Sequence, residues 1–154
     1  MEQQEMLAEV LQDLVKINND RVEGYEKAKE ATDDADLKAL FQRMIDDSEH
    51  YASQLNAELV SMGEPVKSGT TTAGKLYRAW MDMKIIFTGH NRYAILSSCE
   101  YGEDAAQRAY YTTLRSDTGM PYSMREMIAN QQISLRNAHD TIKTYRDLAA
   151  VVHS

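Results

Sequence analysis

Cys99-Glu100-Tyr101-Gly102-Glu103-Asp104-Ala105-Ala106 is the stretch on which the fold turns. It reads as the middle of a long helix: two carboxylates three residues apart with a glycine between them, an apolar residue before and alanines after. An earlier stretch, Val22-Glu23-Gly24-Tyr25-Glu26-Lys27-Ala28, follows the same plan. The two copies are separated by roughly half the chain, which predicts two helical hairpins of similar design.

Working outward, residues 2–31 carry Leu7, Leu11, Leu14, Asn18, Arg21, Tyr25 and Ala28 at alternating steps of four and three, the spacing of one helix face. Thr32-Asp33-Asp34 breaks that pattern and offers N-cap side chains to a second helix over 34–62. The second face runs through Leu37, Leu40, Phe41, Met44, Ser48, Tyr51, Leu55, Leu59 and Met62, and Gly63-Glu64-Pro65 ends it. A turn this short makes the two helices antiparallel neighbours. Residues 63–72 form a loop rich in Gly, Pro, Ser and Thr. A shorter helix over 73–88 follows, anchored by Trp80, and Gly89 stops it.

Asn91 is suited to cap the next helix, over 91–115, whose inner face reads Ile95, Cys99, Gly102, Ala106, Tyr110 and Thr113. Ser116-Asp117-Thr118-Gly119 is the second hairpin turn. Pro121 fits the first turn of the last helix, over 121–151. The whole of 1–154 is expected to be one all-α domain, a four-helix bundle with a short extra helix between helices two and three. If that connection runs from one end of the bundle to the other, the plan is ferritin-like; an up-down-up-down bundle is the alternative.

Composition narrows the function classes. A net charge of −7 argues against nucleic acid, whose phosphates call for a basic surface. No apolar run is long enough for a membrane span, and the acidic start Met1-Glu2-Gln3-Gln4-Glu5 is unlike a secretory signal. One cysteine excludes an internal disulfide framework and fits a reducing compartment, so a cytoplasmic location is expected. Cys99, on an inner face, reads as a small core residue rather than a reactive thiol. Met81 with Met120, near a turn, offers an apolar patch for a partner.

These residues resemble a bacterial family of ferritin-like four-helix bundles catalogued as a domain of unknown function. The matching pieces are Val22-Glu23-Gly24-Tyr25-Glu26-Lys27-Ala28, Leu37-Lys38-Ala39-Leu40-Phe41, Arg78-Ala79-Trp80-Met81-Asp82, the Cys99–Ala106 block, and Ala138-His139-Asp140 with Arg146-Asp147. The resemblance implies fold and ancestry, a link to stress response as in many ferritin-like proteins, and no catalytic residues.

Ferritin-like enzymes hold two metal ions between their helices, with one carboxylate from each of two helices and Glu-x-x-His from each of the others. Here Asp47-Ser48-Glu49-His50 is a shortened version, and Arg136 stands three residues before His139 where a carboxylate is wanted. At about 100° per residue, His50 points roughly 150° from its helix's apolar face, towards solvent. The inward polar set is then Asn18, Tyr25, Glu26 at an edge, Ser48, Tyr51, Glu103, Tyr110, Gln131 and His139. That suits a hydrogen-bonded layer better than a metal pair. The leading expectation is a non-catalytic bundle without a cofactor that forms a homo-oligomer or binds a protein partner. The runner-up is an iron- or manganese-binding protein or oxidoreductase built on Glu26, Glu103 and His139.

Overall fold

The computed structural model describes residues 2–67, 69, 91–116 and 118–153. Four helices carry them: α1 (Glu2–Glu30), α2 (Ala35–Ser61), α3 (Arg92–Arg115) and α4 (Tyr122–His153). The architecture is an all-α four-helix bundle, and the described residues contain no strand. The helix expected over 73–88, with Trp80, lies outside the described residues.

The helix ends follow from local chemistry. At the close of α2, Gly63 takes φ +81°, a left-handed conformation that a side chain would strain. Glu64 N–H then reaches back to Leu59 C=O (2.9 Å), and Gly63 N–H to Val60 C=O (3.0 Å). Those two bonds are the paired closure that satisfies carbonyls left open at a helix end. Asn91 caps α3, its side-chain oxygen accepting from Ala94 N–H at 3.2 Å. Asp34 differs from expectation: it flanks α2 without a side-chain capping bond, because Arg92 takes its carboxylate instead. Pro121 also lies one step earlier than expected. It precedes α4, and its carbonyl accepts the first backbone bond, from Arg125. Met120 is buried, so it contributes nothing to the exposed patch expected of it.

The apolar stripes of all four helices meet in one core that includes Leu11, Leu14, Phe41, Leu55, Ile95, Cys99, Ala106, Ile128 and Ile142. Burying a side chain of the larger kind stabilises by about 1.5–3 kcal/mol, so the stripes dictate the assembly. α1 packs chiefly on α2 and α3 on α4. The hairpins join mainly through α1 against α3, while α2 and α4 barely touch.

The contacts of Arg92 reveal the topology. Its guanidinium grips both oxygens of Asp36 (2.9 and 2.6 Å) and one of Asp34 (3.0 Å), and lies 5.9 Å from the Tyr145 ring centre. This fork-on-carboxylate contact sets the start of α3 beside the start of α2. The two helices therefore run parallel, and the connection between them must return the length of α2, about 40 Å at 1.5 Å per residue. The return has begun by Lys67, whose N–H and C=O both bond the Asn56 side chain (2.9 and 3.1 Å). A single long crossover, rather than up-down-up-down order, is the result.

Candidate functional site

Halfway along the bundle the apolar core gives way to polar side chains from all four helices. Arg21 of α1 is fully buried, and so in effect is Glu103 of α3. Arg21 Nε donates to Glu103 Oε1 at 2.5 Å and Nη2 to Oε2 at 2.9 Å, a bidentate pair. Its Nη1 donates to Ser48 Oγ of α2. Ser48 Oγ donates to Asn18 Oδ1 (3.1 Å), and Asn18 Nδ2 donates to Tyr110 Oη (2.8 Å) and to Leu14 C=O (2.9 Å). Tyr110 Oη then donates to Gln131 Oε1 of α4 (2.7 Å), and Gln131 Nε2 to Gln54 Oε1 of α2 (3.0 Å). The chain of bonds leaves the core where α2 and α4 splay apart, in a cleft of about 410 Å³ lined by His50, Gln54, Asn130 and Gln131.

Burial costs a charge several kcal/mol unless it is paired and hydrogen-bonded, and this layer meets both conditions. Burial pulls the Arg21 guanidinium towards neutrality, but Glu103 outweighs it and holds Arg21 above its usual range. Burial pushes the Tyr110 hydroxyl up, against the hydrogen bond from Asn18. Burial does the same to Tyr25, whose ring lies 5.5 Å from the Arg21 guanidinium carbon and 5.7 Å from the Phe41 ring. Both phenols stay protonated at neutral pH, so Tyr110 can serve as the donor to Gln131.

The expected metal set does not come together. Glu26 is exposed on α1, Glu103 is committed to Arg21 in the core, and His139 sits half-buried where α3 meets α4. Glu26 thus also leaves the inward polar set: its place at the edge of the stripe puts it in water. Asn18, Ser48, Glu103, Tyr110 and Gln131 are inside as the spacing indicates, and His50 is exposed. Two fully buried charged residues that spacing did not count as polar interior are Asp20 and Arg21, although the four-and-three step had put Arg21 on the α1 stripe. A guanidinium occupies the space beside its buried carboxylate, and a second cation there would be repelled.

A second polar cluster lies at the edge. His139 Nε2 is 2.7 Å from Asp104 Oδ1 and 3.7 Å from Glu100 Oε1, both on α3, while Nδ1 is 3.3 Å from Asp140 Oδ1. Arg146 bonds Asp147 (2.9 Å) and the other Glu100 oxygen; the Asp147 hydrogen bond first, and Glu100 after it, hold its guanidinium above the usual range. Among the described residues, Glu100, Asp104 and His139 form the group whose donor atoms all lie within 4.8 Å of one another.

No helix among the described residues is long and apolar enough to cross a membrane. No curated protein matches the chain. A family described as a domain of unknown function, DUF2383, matches residues 6–116, the span that runs from α1 through α3. With Arg21, Ser48 and Glu103 all inside that span, and the match covering well over half its length, the chain belongs to the DUF2383 family.

Proposed function

We propose that the chain is a non-catalytic bundle of the ferritin-like kind, bacterial and cytoplasmic, which works by self-association or by binding a protein partner in a stress response. The observation that carries this reading is Arg21. Where a ferritin-like enzyme gathers carboxylates around metal ions, this chain has a guanidinium bonded to Glu103 and Ser48. The polar groups of this interior layer hydrogen-bond one another. The single long crossover supports the ferritin-like part, being the connection that distinguishes such bundles. Tyr122, Ile133 and Leu148, all exposed, support association: they fall within about 80° of one another around α4.

Size-exclusion chromatography with light scattering tests the reading. The expected result is a dimer or larger species that Ile133→Glu with Leu148→Glu converts to monomer. A strict monomer at every concentration, with no partner recovered by pulldown, overturns it. The competing reading, an iron or manganese oxidoreductase, requires stoichiometric metal in protein purified without chelators, lost on Glu103→Ala. That result would displace the proposal outright.

A further inference from the structure

The edge cluster has a chemistry of its own. Glu100 and Asp104 are four residues apart, so both project from one side of α3, and His139 meets them from the antiparallel α4. The imidazole has carboxylates on both sides: Asp104 and Glu100 face Nε2, and Asp140 faces Nδ1. When Nδ1–H donates to Asp140, Nε2 presents a lone pair to two carboxylates that also only accept. Three acceptors then converge on one point; without a cation there, the other tautomer lets Nε2–H donate to Asp104 across the 2.7 Å contact. A cation answers that arrangement.

We infer that Glu100, Asp104 and His139 bind one divalent first-row transition cation, of the zinc or cobalt type. The donor chemistry selects it: one imidazole nitrogen and two carboxylate oxygens suit such ions, whereas magnesium and calcium prefer oxygen alone. Size agrees. Donors about 2.0–2.2 Å from a shared ion lie roughly 3–3.4 Å apart when adjacent. The Glu100–His139 separation of 3.7 Å closes to that with a small rotation. The Asp104–His139 separation of 2.7 Å has to open, and Asp104, half in solvent, has room to move.

The surroundings are arranged as they are around metal ligands generally. Asp140 orients the imidazole through its far nitrogen, and Arg146 holds the outer Glu100 oxygen, leaving Oε1 towards the ion. Arg146 also lowers the negative potential, which favours an ion with strong affinity for nitrogen over one attracted by charge alone. Exposure of Asp104 leaves water to complete the coordination. This site is separate from the interior layer and does not depend on the association proposed above.

Titration of the chelator-treated, dialysed full chain with cobalt(II) alone, followed by visible absorption, and with zinc(II) alone, by calorimetry, tests the site. One ion per chain is expected. His139→Ala and Asp104→Asn should each weaken binding by at least about tenfold. His50→Ala, on the exposed face of α2, should leave it unchanged. Asp104→Asn is a half-exposed substitution that keeps the fold, so its result stands even if His139→Ala loosens the α3–α4 seam; far-UV circular dichroism checks both. Absence of saturable binding overturns the site. So does binding that survives both α3–α4 variants, or that His50→Ala removes, since the ion would then be adventitious.

Discussion

Two glutamates three residues apart on α3 each meet an arginine from another helix, and the two pairs behave as different chemistry. Glu103 with Arg21 is sealed in the core, and its hydrogen bonds continue through side chains of all four helices. Glu100 with Arg146 lies at the α3–α4 edge, where carboxylates outnumber cations and water has access. Turning about 60° around one helix is enough to pass from a saturated, low-dielectric site to an unsaturated, wet one. Charge alone therefore does not mark a functional site. What distinguishes the two is whether any valence is left over.

The largest effect expected of this contrast is on stability. Arg21→Met strands a buried carboxylate and should cost about 3–5 kcal/mol, whereas Arg21→Met with Glu103→Leu should return to near wild-type or exceed it. Urea unfolding followed by circular dichroism reads both. A single mutant as stable as the wild type would show that the interior pair is no different from the edge pair. Next in size, Tyr110→Phe removes the donor to Gln131 and an acceptor for Asn18, costing about 1–3 kcal/mol in the same assay. Arg146→Met should cost no more than about 1 kcal/mol, and less as salt is added. A loss as large as that of Arg21→Met would erase the distinction.

The smallest effect belongs to the exposed clamp. Arg92 hydrogen-bonds Asp36 and holds its carboxyl below the ordinary 3.8. A carboxyl lowered on folding stabilises above its unfolded value, and that contribution is lost as pH falls from about 3.8 through the folded value. Arg92→Gln should lower the neutral plateau slightly and flatten this part of the acid limb to match, so that the two proteins converge once Asp36 is protonated. An acid limb identical to wild type would show that the clamp carries no linkage.

Much of this was legible in the chain. The four-and-three spacing put Asn18, Ser48, Glu103 and Tyr110 on inner faces, and Gly63 and Asn91 marked helix ends by their backbone chemistry. Spacing gives a residue's angle on its own helix, but not the height at which it meets another. Arg21 was on the stripe, yet its reason for being there is Glu103, 82 positions away and opposite only once the crossover has set α1 against α3. Glu26 shows the converse. An angle at the edge of a stripe leaves water or core equally open, and the neighbouring helix decides. His139 likewise acquires Asp104 and Glu100 only through the axial alignment of α3 and α4.

The interior pair also governs how the halves meet. Each hairpin can zip up from contacts close in sequence, whereas docking one on the other closes a far longer loop and is expected to be the slower event. Until then Arg21 and Glu103 remain hydrated ions within otherwise oily stripes. A hairpin offset by one helical turn, about 5.4 Å, would set the guanidinium against Cys99 or the Ala106 side of α3 and leave the carboxylate stranded. Greasy surfaces would tolerate that slip; the ions do not. They act as a key cut for one alignment.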